Sequence, residues 1–166
     1  MCIRDRIDND KRISINSKYA NQYAAAGDKT LIDHLRGGGN YRTGNWQGYR
    51  EDLEVIVDLG KSKIINSVSL GCLQDIRSWI FYPKKVEYFI SVDGIKFSRL
   101  GDVKTAFPDN IEGSFTNDYT LKTNKEKARY IKVKAKNYGF CPEWHLGSGG
   151  VTWIFVDEIE IDCDEK

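Results

Sequence analysis

Apolar residues recur at every second position in run after run of this chain, and nowhere at the spacing of a sustained helix. Leu53, Val55, Val57 and Leu59 alternate with Glu54, Ile56 and Asp58 up to Gly60. Ile64 to Leu73 follows as a second run, and Val86, Tyr88, Ile90 and Val92 form one face of a third. Ile131, Val133 and Ala135 alternate with Lys132, Lys134 and Lys136, and Val151 to Ile161 closes the chain as a strand whose first half is apolar on both faces and whose second half alternates. A period of two places successive side chains on opposite faces of a strand, whereas a helix face repeats at about 3.6 residues. Ile13 to Asn16 adds a short edge strand, and Asp93-Gly94 is a hairpin signal turning the chain into Ile95-Lys96-Phe97. Short strands, glycine-bearing turns and no βαβ alternation predict an all-β fold, an antiparallel β-sandwich. At 166 residues the chain makes one domain with a sizeable core.

Between the strands lie the segments with chemistry to offer. Tyr19 to Gly27 reads as a helical turn. Asp28 to Gly39 reads as a loop ending in three glycines and anchored by Leu31, Ile32 and Leu35. Asn40 to Tyr49 continues that loop and carries Trp46, residues 101 to 118 are polar and turn-rich, and Asn137 to Gly150 is a further long loop. Most informative is the stretch from Gln74 to Tyr82, which sets Gln74, Asp75, Arg77 and Trp79 between two strands. Loops held by a rigid scaffold are where working residues concentrate. A large flat ring beside planar polar groups suits a sugar ring. The plainer alternative makes Trp79 a core plug and Asp75 with Arg77 a surface ion pair.

Composition narrows the classes. Basic and acidic residues nearly cancel, at 25 and 24, so the net charge of +1 gives no electrostatic case for nucleic acid or an anionic membrane. No window approaches the roughly 20 apolar residues of a spanning helix. Lys132, Lys134 and Lys136 lack interleaved aromatics and read as a solvated sheet face. Cys2, Cys72, Cys141 and Cys163 form no paired zinc-ligand spacing and allow one disulfide or none. Neither His34 nor His145 neighbours a nucleophile set in a strand-turn-helix, Gly147-Ser148-Gly149 lacks the flanks of a nucleophile elbow, and no phosphate loop or HExxH helix occurs. The chain does not read as an enzyme. Met1 to Arg6 matches nothing that follows and reads as a cloning or assembly scar, making residues 1–12 a lead-in, 13–162 the domain and 163–166 a tail.

Five stretches in order resemble the discoidin family, also called the coagulation factor V/VIII C-type domain, which includes the bacterial family-32 carbohydrate-binding modules. They are Thr30-Leu31-Ile32-Asp33 with Trp46-Gln47-Gly48-Tyr49; Val55 to Gly60; Val86 to Gly94 with Phe97; Ala128 to Val133; and Val156 to Ile161. The loops from Gln74 to Pro83 and from Pro142 to His145 are similar to a version at the C-terminus of bacterial family-20 β-N-acetylhexosaminidases.

The resemblance implies a jelly roll of about eight strands and one structural calcium. Asp33 and Glu158 would grip the ion, with main-chain carbonyls from Thr30 and from Arg36 to Asn40, since calcium takes six to eight oxygens at about 2.4 Å. Family members usually follow this aspartate with glycine; here His34 stands there, and a positive φ would strain it. Ligand residues implied at one rim are Trp79 or Trp144 as stacking platform, with Arg77, Asp75, Gln74, His145 and Glu143 as hydrogen-bonding groups, while Trp46 and Trp153 pack inside. The implied partners are a glycan of galactose or N-acetylglucosamine type and, in cis, the catalytic domain of a secreted, periplasmic or surface glycosidase. Nucleic acid is not among them, a membrane is disfavoured, and the isolated domain is expected to be monomeric. A module that packs on its catalytic neighbour without binding sugar is the alternative, and a protein- or lipid-binding domain ranks below both.

Overall fold

A computed structural model of the chain describes residues 12–164. Met1 to Arg6, and the lead-in assignment up to residue 11, lie outside the described residues. Seven strands appear in chain order: β1 (Arg12–Ile15), β2 (Gln47–Tyr49), β3 (Leu53–Gln74), β4 (Val86–Ser91), β5 (Ser98–Val103), β6 (Phe115–Ala135) and β7 (Ile154–Asp164). All pair antiparallel, in the order β2-β7-β3-β6-β4-β5, with β1 also on β3. The fold is the expected antiparallel sandwich. Seven strands among the described residues agree with the expected number of about eight; the runs at 53–59 and 64–73 are one strand of 22 residues, bent rather than broken at Gly60.

That bend builds the two layers. The β3–β6 register shifts between Asp58 and Lys63, and again between Ile65 and Ser67. Before the shift, β3 lies between β1 and β6, and the same end of β6 continues to β4 and β5. Beyond it, β3 lies between β6 and β7, with β2 outside β7. Val55 and Val57 from the first arm share one buried cluster with Val68 and Leu70 from the second and Ile159 and Ile161 of β7. Burying alternate faces of both arms against each other is what a period-two sequence requires.

Several sequence expectations change here. Leu35 does not anchor its loop; it is 52% exposed, while Leu31 and Ile32 are buried and belong to a 3₁₀ turn at Gly27–Ile32. Gln47–Tyr49, read as loop, is a fully buried short strand. Ile95-Lys96-Phe97 is a turn rather than a strand: the Asp93 carboxylate accepts the N–H groups of Ile95 (2.8 Å) and Lys96 (3.0 Å), and β5 starts only at Ser98. Those bonds also hold the Asp93 carboxyl below its usual range. Strand β7 continues through Asp164, past the expected domain edge at 162. Cys72 and Cys141 are free buried thiols and do not pair with each other.

Candidate functional site

Two small clusters beyond the main core fix the rim loops. Trp46, Leu73, Ile80 and Phe155 form one; Ile76, Phe81 and Cys141 form the other. From Gln74 the chain enters a 3₁₀ turn at Ile76–Ser78, and Trp79 closes it in the left-handed region at φ 67°. Asp75 N–H donates to Ile80 O (2.9 Å) and Ile80 N–H back to Asp75 O (3.1 Å), closing the loop on itself. Trp153 N–H donates to Trp79 O (2.8 Å) and Phe81 N–H to Trp153 O (3.2 Å), tying this loop to the segment leading into β7.

The loop from Tyr138 to Val151 folds over the Trp79 indole. A Cβ on Gly147 would lie 2.4 Å from Trp79 Cε2, and one on Gly150 would lie 2.4 Å from Cζ3, so only glycine lets the loop sit this close. His145 fills the space beneath. Its Nε2–H donates to Ile76 O and its Nδ1 accepts Gly147 N–H (2.8 Å), while the ring meets Trp79 edge-on at 6.3 Å.

Around these loops lies an open depression of about 440 Å³, lined by Arg77, Trp79, Asn110, Glu112, Trp144 and Leu146 among others. Trp144 is 51% exposed and Leu146 fully so. Arg77 and Glu112 face each other at 4.0 Å, both mostly in solvent. The depression therefore offers the half-exposed Trp144 indole and the part-buried Trp79 indole with a guanidinium, a carboxylate and an amide around them.

The seven predicted ligand residues divide. Trp79, Trp144, Arg77 and His145 line the depression; Asp75 and Glu143 sit on the same loops without lining it. His145 is buried, and both ring nitrogens are spent on backbone groups, so it shapes the site rather than offering a hydrogen bond. Gln74 is a correction: it is 1% exposed, donates to Pro108 O (2.9 Å) and accepts Tyr82 N–H (3.4 Å), which makes it a pin beneath the loop. Arg77 pairs with Glu112, not with Asp75. Trp46 is buried as expected, but Trp153 is only part-buried and lines a second depression. Asn110 and Glu112 escaped the sequence reading because their segment shows no periodicity.

The expected calcium residues also divide. Asp33 and Glu158 come together. Burial pushes the Asp33 carboxyl above its usual range, opposed by Leu35 N–H (2.9 Å) and by a hydrogen bond with Glu158. Glu158 is 2% exposed and accepts His34 N–H (3.1 Å). Two carboxyl groups in hydrogen-bond contact need a shared proton or a nearby positive charge, and the His34 imidazole lies 3.9 Å from Glu158. His34 has φ 67°, the positive value that a glycine would take freely.

Three of the expected carbonyl donors each accept one N–H hydrogen bond, and a carbonyl oxygen has two lone pairs. Thr30 O accepts Asp33 N–H, Arg36 O accepts the Asn45 amide (2.9 Å), and Asn40 O accepts Thr43 N–H (3.1 Å). Among the described residues no cluster of three or more His, Cys, Asp or Glu side chains is arranged for a metal. Arg36 instead works through its side chain, donating to Asp157 (2.8 Å), Glu160 (2.6 Å) and Asp118. Burial opposes the Arg36 charge, but Asp118 and Asp157 more than offset this and keep it protonated.

The fold is that of an antiparallel β-sandwich module with its long loops gathered at one rim. The model of the F5/8 type C domain matches residues 12–154, and the chain belongs to that family. Among solved structures, CpGH89CBM32-5 from Clostridium perfringens, in complex with GalNAc-β-1,3-galactose, is 18% identical with a TM-score of 0.56, covering 93% of this chain and 96% of its own. The C-terminal domain of a chitobiase from Bacteroides fragilis is 20% identical with a TM-score of 0.54, covering 95% of each chain. The family 32 module of NanJ from C. perfringens, in complex with galactose, is 14% identical with a TM-score of 0.56, covering 93% of this chain and 94% of its own. No curated protein matches the chain. No helix among the described residues is long and apolar enough to cross a membrane.

Proposed function

We propose that the depression at Trp144 binds a glycan of the galactose or N-acetylglucosamine type, and that the chain is the accessory module of a secreted or surface glycoside hydrolase. The half-exposed Trp144 indole beside Arg77, Asn110 and Glu112 carries this reading. The apolar C–H face of a pyranose stacks on the indole, Arg77 donates to ring hydroxyls, Glu112 accepts from them, and the Asn110 amide does either. Holding a tethered catalytic domain at its substrate raises effective concentration without bond-breaking in the module itself. Exposed rims of this kind bind weakly, because much of the contact energy offsets desolvation.

Calorimetric titration of the chain with galactose, N-acetylglucosamine and their oligosaccharides tests the reading. Saturable binding that Trp144→Ala abolishes supports it; no binding of any sugar at millimolar concentration overturns it. A second reading, in which this rim packs on a neighbouring catalytic domain, is favoured by fully exposed Leu146 with Phe140 nearby on the same loop. Silence in the titration selects that alternative.

The Asp33–Glu158 pair is proposed to hold a structural calcium, which would supply the positive charge that lets both carboxyl groups ionise. The ion stabilises the fold by mass action, so millimolar calcium raises Tm and a chelator lowers it. Asp33→Asn should remove the difference; a wild-type Tm indifferent to calcium contradicts the assignment.

A further inference from the structure

A second depression of about 400 Å³ lies on the far side of the Arg77–Trp79 ridge, lined by Tyr23, Tyr41, Arg42, Arg77, Ser78 and Trp153 among others. Its lining contains two guanidinium groups and no carboxylate. A third guanidinium, that of Arg50, lies 5.4 Å over the Trp153 ring, and that of Arg42 lies 4.9 Å over Tyr41. Neither Arg42 nor Arg50 has a described carboxylate within ion-pair distance. Arg77 has only Glu112, at 4.0 Å on the opposite side of the ridge, with both side chains more than 70% exposed at 75% and 71%. Such a pair adds little.

Arginines on the sheet faces behave differently. Arg36 holds three carboxylates, Arg99 holds Glu87 and Asp102, and Arg129 holds Asp58 through two nitrogens. In a chain of net charge +1, two guanidinium groups in a lining without a carboxylate are a local feature rather than a bulk one. A guanidinium laid over a ring keeps its N–H edge turned outward, a fork that matches the two oxygens of a carboxylate or sulfate. Tyr23, Tyr41 and Trp153 form the aromatic part of the lining, with Arg42 laid over Tyr41.

We propose that this second depression is a subsite for an acidic sugar residue, a pyranose bearing a carboxylate or sulfate, next to the neutral sugar at Trp144. The assignment rests on the glycan-binding reading above and adds to it the charge of the ligand. Arg42 and Arg77 pair with the anionic group, and the Tyr41 ring holds the Arg42 guanidinium from below.

Titration with matched probes tests it: galactose against galacturonic acid, N-acetylglucosamine against its 6-sulfate, and inorganic sulfate alone. The acidic member of at least one pair should bind about tenfold more tightly at low salt, the worth of one charge-assisted hydrogen bond at an exposed rim. Whichever pair shows the gap identifies carboxylate or sulfate as the group recognised. The advantage should shrink as salt is raised. Arg42→Gln should erase it while leaving neutral-sugar affinity and Tm unchanged. Equal affinity for acidic and neutral partners, an advantage that survives Arg42→Gln, or inorganic sulfate binding as well as the sulfated sugar would overturn the acidic subsite. Neutral sugars still bound through Trp144 would then leave the first reading standing; no sugar bound at all would remove both.

Discussion

Replacing Gly147 by alanine is the sharpest test of how the rim is built. The new Cβ would meet three atoms of the Trp79 indole at 2.4, 2.5 and 2.8 Å, where carbon contacts normally rest at about 3.5–4.0 Å. The ring would have to retreat by about 1 Å. Its backbone cannot follow easily, because Trp79 N–H is bonded to Ile76 O (3.0 Å) and Trp79 O to Trp153 N–H (2.8 Å). Gly147 is not among the glycines with positive φ, so the cost is steric rather than conformational. Overpacking of this kind costs about 1–3 kcal/mol. For a domain of this size that is a Tm lower by about 3–10 °C. Gly44→Ala is the control, with nothing within 4 Å of its added Cβ, and should change Tm little. Gly150→Ala presses the same indole from Cζ3, so the double variant should cost less than the two singles together. Differential scanning calorimetry reads the stability, and near-ultraviolet circular dichroism reads the indole. A Gly147→Ala protein that melts with wild type and keeps its aromatic spectrum would refute the packing described.

His34→Gly should stabilise the chain by about 0.5–1 kcal/mol, since the left-handed backbone at φ 67° costs a side chain more than the glycine entropy it saves; a lower Tm would show that the imidazole contributes more beside Glu158 than its backbone costs. Arg129 holds the Asp58 carboxyl below its usual range, with burial opposing. Because the folded pKa is the lower one, this stabilisation is present above the unfolded value of about 4 and is lost as pH falls through the folded value. Melting curves of wild type and Asp58→Asn should therefore differ at neutral pH and converge in acid; a gap that stays constant would contradict the pairing.

Period-two patterning located the first arm of β3, β4, the second half of β6 and the end of β7, where one face is buried and every second residue carries the mark. The first half of β7 is buried on both faces and shows as a continuous apolar run. It missed β2, which is only three residues long and buried throughout, so no alternation can show. It also missed β5, an edge strand whose Ser98-Arg99-Leu100-Gly101-Asp102-Val103 carries little apolar signal. Gly60 looked like a terminator and proved to be a bend, because β6 pairs on both sides of it.

In the rim, the exposed Trp144 and Arg77 were legible from their company of polar and glycine neighbours. Gln74 and His145 were misread for a general reason: a buried amide or imidazole satisfying loop carbonyls and N–H groups looks, in sequence, like one awaiting a ligand. Asp157 was passed over beside Glu158, although its carboxylate takes Arg36 (2.8 Å) and Gly37 N–H (2.9 Å) and so secures the loop that carries Tyr41 and Arg42. Only the pairing of strands places those groups together.

Sugar binding at the Trp144 rim is the property from which the proposed role of the domain follows. Heteronuclear NMR of the labelled chain, titrated with galactose or N-acetylglucosamine to millimolar concentration, reads this residue by residue. The Trp144 indole N–H and the backbone around Arg77 and Asn110 should shift and saturate together, while the buried Trp46 indole, bonded to Gly38 O (2.9 Å), stays in place. A spectrum in which nothing at that rim moves, or in which only resonances on the sheet faces respond, would contradict it.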